Sequence, residues 1–86
     1  MESNHQELII KDKKTLSLNA VVNILDFSEL EMTIETLFGT VVIEGEDMKI
    51  ESLSKDDGIV CVIGRIEGFY YKKQREKKSL FSRSLG

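Results

Sequence analysis

Three features of the sequence predict an all-β fold, a small antiparallel β-sandwich followed by a basic C-terminal tail. Apolar residues recur at every second position through most of the first 71 residues, the spacing that puts them on one face of a strand and their polar neighbours on the other. Polar or glycine-containing segments divide these runs at intervals suited to hairpin connections. Helical spacing is hard to find in the same stretch. A short β-roll is the alternative arrangement.

Leu8 and Ile10 open the pattern. Leu16 and Leu18 follow the polar segment Lys11-Asp12-Lys13-Lys14, which suits an exposed hairpin connection. Val21, Ile24 and Phe27 then break strict alternation, so the segment after Ala20 is expected to bend or carry a bulge, with a turn over Asp26 to Glu29. Alternation returns with Leu30, Met32, Ile34 and Thr36, opposite Glu29, Glu31, Thr33 and Glu35. This is a strand with one wet face, as antiparallel sheets permit. Val41 and Ile43, then Met48 and Ile50, then Val60, Val62 and Ile66 mark three more strands, the first two separated by Gly45-Glu46-Asp47. Asp57-Gly58 is a turn signal, because glycine reaches the left-handed backbone region freely and Asp bonds its own local backbone. The last strand runs through Arg65 to Tyr71, with a bulge or close packing at Gly68. Gly39-x-Val41-x-Ile43-x-Gly45 recurs as Gly58-x-Val60-x-Val62-x-Gly64, and two copies suit paired hairpin-like units with glycine at equivalent bends better than a solenoid.

The 86 residues leave room for one domain near the lower size at which a core stabilises a fold unaided. We divide the chain into a flexible N-terminus, residues 1–6, a β domain, residues 7–71, and a basic amphipathic tail, residues 72–86. Cys61 has no partner for an intrachain disulfide, and one cysteine with one histidine makes no metal-ligand set. No secretory signal is expected, because Met1 to Gln6 is polar and no basic stretch precedes an apolar run. The longest apolar run, Ile59 to Ile63, is far shorter than the about 20 residues of a membrane span. A soluble, cytoplasmic protein is expected, with any membrane association peripheral.

Candidate catalytic groups have simpler structural readings. His5 lies among polar residues near a terminus, whereas a general base needs a fixed position. Cys61 is out of phase with Val60 and Val62 and reads as packing on the second face of its strand. Glu29, Glu31 and Glu35 have the spacing of a solvated sheet face, and neither they nor Glu44, Glu46 and Asp47 match a calcium loop. The six glycines never cluster into a phosphate cradle. No enzyme, no cofactor and no metal are expected.

Charge is unevenly divided. Residues 72–86 carry six Lys or Arg against one acid, while residues 1–71 carry six against fourteen. Such asymmetry marks an interaction tail, and it also lets body and tail attract each other. Lys72, Lys73, Arg75, Lys77 and Lys78 form a charged spacer, and Leu80, Phe81, Arg83 and Leu85 an apolar-basic end. As a short helix the end would place Leu80, Phe81 and Leu85 on one side, suited to a protein groove or an anionic membrane. As a flexible segment it would serve solubility alone. Tyr70 and Tyr71 beside Lys72 and Lys73 raise the alternative of a nucleic-acid-binding β domain, which the acidic body disfavours. The absence of proline leaves strand edges without that protection, so homo-oligomer formation through an edge is a further expectation.

The run Ile34-x-Thr36-x-x-Gly39-x-Val41-x-Ile43-x-Gly45-x-x-Met48-x-Ile50-x-x-Leu53, then Gly58-x-Val60-x-Val62-x-Gly64-x-Ile66-x-x-Phe69-x-Tyr71, resembles the YabP family of sporulation proteins. His5 before Leu8 and Ile10, Leu16-x-Leu18 before Val21 and Ile24, and the ending Leu80-Phe81-Ser82-Arg83-Ser84-Leu85 are similar as well, so nearly the whole chain is covered. Ala20 stands where the family commonly has glycine, Asp26 where serine usually precedes Phe27, and Lys13 or Lys14 where arginine is common. The related YqfC branch shares the β core, and the Phe-Ser-Arg tail is more similar to the YabP branch. The resemblance implies a protein of endospore-forming bacteria, made in the mother cell and needed for spore cortex assembly, with an integral membrane sporulation protein as a candidate partner. A non-enzymatic scaffold or partner-binding module at the forespore-enclosing membrane is the resulting expectation. The rival classes are the nucleic-acid binder and an enzyme acting on cortex peptidoglycan.

Overall fold

The computed structural model describes residues 5–72. Six strands follow in order: β1 (Leu8–Lys11), β2 (Thr15–Leu18), β3 (Val21–Phe27), β4 (Glu31–Thr36), β5 (Gly39–Ser54) and β6 (Ile59–Lys72). All pairings are antiparallel, and hydrogen bonds join them into one sheet with the order β1-β2-β6-β5-β4-β3.

The sheet folds over on itself. β2 pairs with residues 60–63 of β6, whereas β4 pairs with residues 39–44 of β5. The long β5–β6 hairpin therefore runs through both halves, and its bends stack one half on the other. Leu16 and Leu18 from the first half meet Met32 and Ile34 from the second in a single core with Val41, Ile43, Met48, Val60, Val62 and Ile66. The expected two-layer packing is thus built from one continuous sheet. Its inner faces interdigitate, and apolar area leaves water on both sides.

The local chemistry accounts for the connections. Between β1 and β2, Asp12 and Lys13 both take positive φ (52° and 55°), the conformation of the tightest hairpin turn, and Lys14 N–H bonds the Lys11 carbonyl at 2.9 Å. After β3, the Ser28 hydroxyl accepts from the N–H groups of Leu30 and Glu31. Before β6, Gly58 N–H bonds the Ser54 carbonyl at 2.8 Å. Ala20 is held at φ 57°, a conformation glycine takes freely, with its methyl group buried.

Two differences from the sequence expectation concern strand continuity. Val41–Ile43 and Met48–Ile50 belong to one strand, because Gly45-Glu46-Asp47 forms a bend with register shifts and not a turn. The same holds for β6, which continues through Gly64 to Lys72. At the bend the two backbones approach so closely that a Cβ at Gly45 would collide with the Arg65 carbonyl oxygen. Gly64 lies on the opposing strand against Asp47 and Met48. The repeated glycine pattern thus places Gly39 and Gly58 at the starts of β5 and β6, and Gly45 and Gly64 at their shared corner.

Gln6 ties the layers together at one end. Its side chain donates to the Asn19 carbonyl at 2.7 Å, and its oxygen accepts from the Thr36 hydroxyl at 2.9 Å and the Tyr71 hydroxyl at 3.0 Å.

Candidate functional site

The hydrogen-bonding pattern leaves several strand edges unpaired. Among the described residues, β3 ends the sheet on one side and β1 on the other, residues 67–72 of β6 have no neighbour beyond β5, and most of β5 past its bend lacks one opposite β6. β3 is the edge most exposed in apolar character. Inward residues Val21, Ile24 and Phe27 pair with Thr36, Ile34 and Met32, and a bulge lies in each interval. The extra residues are Val22 and Leu25. A bulge sets two residues against one partner, so Val22 with Asn23 and Leu25 with Asp26 face the outer side opposite Glu35 and Thr33. Val22 and Leu25 are 54% and 53% exposed, and Phe27 at the strand's end is 64% exposed.

This edge faces the free edge of β5 across a groove. The two are pinned at the ends by backbone bonds, Val21 N–H to the Gly58 carbonyl at 2.8 Å and Met48 N–H to the Glu29 carbonyl at 3.0 Å. Between the pins lie two hollows. One, of about 670 Å³, is lined by Phe27, Met32, Met48 and Ile50, with Glu29 and Lys49 at its polar rim. The other, of about 310 Å³, is bounded by Val22, Ile24 and Leu53. More exposed apolar side chains lie where β6 ends, Phe69 and Tyr71 on the face of Ile43 and Val41 and Tyr70 on the opposite face, with the Tyr71 ring against Gly39.

The outer face of the second layer is acidic. In register, Glu31 stands directly opposite Glu44, and Glu35 opposite Thr40, which in turn faces Lys72. Like charges in directly opposed positions repel. Among the described residues no cation lies within ion-pair distance of Glu31, Glu35 or Glu44. Arg65 bridges Glu46 and Glu67 elsewhere, both at 3.2 Å and both exposed. Val42, also facing outward, is nonetheless buried, framed by Thr33 and Tyr70.

The sequence-derived contact residues divide accordingly. Lys72 is the exposed last residue of β6. Lys73, Arg75, Lys77, Lys78, Leu80, Phe81, Arg83 and Leu85 lie outside the described residues. His5 is exposed and sits 3.5 Å from the Glu7 carboxylate. Cys61 is half-buried on the outer side of the first layer, between Ser17 and Ser52 in register. Among the described residues, no three His, Cys, Asp or Glu side chains are grouped to hold a metal ion, and no helix is long and apolar enough to cross a membrane. Gln6 and the bulged pair Val22 and Leu25 are the residues that sequence reasoning missed. The spacing of Val21, Ile24 and Phe27 was the available signal for the latter.

Fold and surface together define a class: a small all-β protein, folded from a single sheet, with exposed apolar side chains on its edge strand β3 and in the connections between strands. The model of the YabP family matches residues 2–78. The chain is 28% identical over 80 residues to Spore protein YabP of Bacillus subtilis (strain 168), an alignment covering 90% of this chain and 80% of the relative. It belongs to the YabP family of sporulation proteins.

Proposed function

We propose that this chain is a non-enzymatic scaffold or partner-binding module in spore cortex assembly, acting at the forespore-enclosing membrane. The observation that carries this reading is the β3 edge, where Val22 and Leu25 are more than half exposed on a strand whose outer backbone side has no strand partner among the described residues. Exposed apolar edges are costly to leave open, since they template pairing with another chain, and their retention suits a strand that meets a partner. The partner chemistry that fits is an extended or apolar segment of another sporulation protein, an integral membrane protein among the candidates, or the same edge in a second copy. The basic tail supplies attraction to an anionic membrane surface, with Lys72 at its root.

The nucleic-acid reading draws less support. The Tyr71 hydroxyl is bonded to Gln6, and Tyr70 shares its face with Glu31, Glu35 and Glu44, which repel a phosphate backbone.

The test is a Val22→Lys/Leu25→Lys double variant in sporulating cells, with partner capture and heat-resistant spore counts as readouts. Both side chains are exposed and outside the core cluster, so thermal unfolding should stay within a few degrees of the parent. Loss of captured partners and of resistant spores is expected. A variant that captures the same partners at parental yield removes the β3 edge from the mechanism.

A further inference from the structure

The chain leaves the described fold at a place that says where its next residues can go. Lys72 ends β6 on the outer face of the second layer, and one row of register partners crosses from it: Lys72 opposite Thr40, Thr40 opposite Glu35, Glu35 opposite Asn23, which adjoins the bulged Val22. Four strands at about 4.8 Å spacing put the β3 edge roughly 14 Å away. Eight residues in extended conformation reach about 26 Å, so the segment 73–80 spans the face with length to spare and brings Phe81 to the edge.

The face being crossed matches what the segment carries: Glu35 lies on the row itself, and Asp26, Glu31 and Glu44 lie further along the same face. The face presents Asp26, Glu31, Glu35 and Glu44 outward, and Lys72 is the single cation on it among the described residues. The segment crossing it carries Lys73, Arg75, Lys77 and Lys78 against Glu76 alone. At the end of the path the charges give way to the exposed Val22 and Leu25 and to the 310 Å³ hollow bounded by Val22, Ile24 and Leu53, where the segment offers Leu80 and Phe81.

We propose that the C-terminal segment of this chain straps across the outer face of its own second layer, lysines over the carboxylates and Leu80 and Phe81 on the β3 edge. Docked in this way, the strap covers the apolar edge and occupies its own cations, so a partner or an anionic membrane must displace it. The inference goes beyond the proposed function and stands without it.

The natural chain has no tryptophan, so a full-length Phe81→Trp variant gives a unique fluorescent reporter. In dilute buffer of low ionic strength its emission is expected to be blue-shifted from that of free indole. About 1 M salt, where the Debye length is near 3 Å, should move it toward the free value. Lys77→Glu/Lys78→Glu on the same background leaves the body untouched and should abolish the blue shift. Adding Glu31→Lys/Glu35→Lys should restore it. Emission already at the free value in the parent reporter, or failure of the charge exchange to restore the shift, overturns the proposal. A blue shift that disappears on dilution overturns docking within one chain and assigns the strap to a second copy. Vesicle flotation, with vesicles containing phosphatidylglycerol, tests membrane recruitment separately, and neither result determines the other.

Discussion

Replacing Gly64 by alanine would set a methyl carbon 2.7 Å from both the Asp47 carbonyl oxygen and the Met48 Cα, at a residue whose φ is +140°. The backbone term alone is about 1–3 kcal/mol for a side chain held in a region that L-residues rarely adopt. The steric term adds to it, because both obstructing atoms are backbone and belong to the strand that carries Met48, which is only 2% exposed within the core. Relieving the overlap means separating β5 from β6 at the corner where the sheet folds. Overpacking of this kind costs about 1–3 kcal/mol, so the sum is about 2–6 kcal/mol. Small domains have about 5–15 kcal/mol in all, and for their size each kcal/mol moves Tm by roughly 4–8 °C. Gly68, four residues along the same strand, supplies the control, since a Cβ there meets nothing within 4 Å. Gly68→Ala should stay within about 0.5 kcal/mol of the parent. Urea unfolding followed by circular dichroism, with equal m-values checked, measures both. If Gly64→Ala and Gly68→Ala unfold at the same midpoint, the close approach at the corner is not what the sheet depends on.

Gln6→Ala should lower stability by about 1–3 kcal/mol, because it removes bonds to Asn19, Thr36 and Tyr71 at once, and hydrogen exchange should quicken where those groups meet. Refolding midpoints unchanged within error would show that the two layers hold together without it. Arg65→Ala, despite its two carboxylate partners, should change stability by less than about 1 kcal/mol in a thermal melt, since the side chains of both pairs are more than half exposed.

Strand identity was legible because alternation maps directly onto faces: Leu16 and Leu18, Met32 and Ile34, and Val60 and Val62 are all in the core. Where the pattern slipped, the cause was a bulge, and the slip was partly readable. Val21, Ile24 and Phe27 recur every third residue because one extra residue sits in each interval, so a strand with two bulges imitates neither regular period. The core face of β5 passes from Val41 and Ile43 to Met48 and Ile50, an odd step, and in β6 from Val62 and Ile66 to Phe69 and Tyr71, again odd. An odd step in an alternating run signals a turn or a bulge equally. Only the register shifts past Glu44 and Glu46 decide for a continuous, bent strand. Gln6 was illegible for a different reason. Its partners lie 13, 30 and 65 residues away, and no local pattern encodes such a meeting. For the candidate surface, the sequence pointed to the basic tail, of which the fold describes Lys72. The exposure of Val22 and Leu25 depends on β3 being an edge, which is a property of topology.

The pairing of β2 with β6 has a consequence in time. Leu16 faces Val62, so a strand made early has its neighbour in the sheet only after roughly 45 more residues have been added. At about 5–20 residues per second that is a wait of a few seconds. Through it, the β1–β2 hairpin has one apolar face without its sheet partner, and a lone hairpin is marginal in water. Folding should then come as one late, cooperative event that completes both layers together. Growth conditions that slow synthesis would lengthen the interval in which the hairpin is open to aggregation or to chaperone capture.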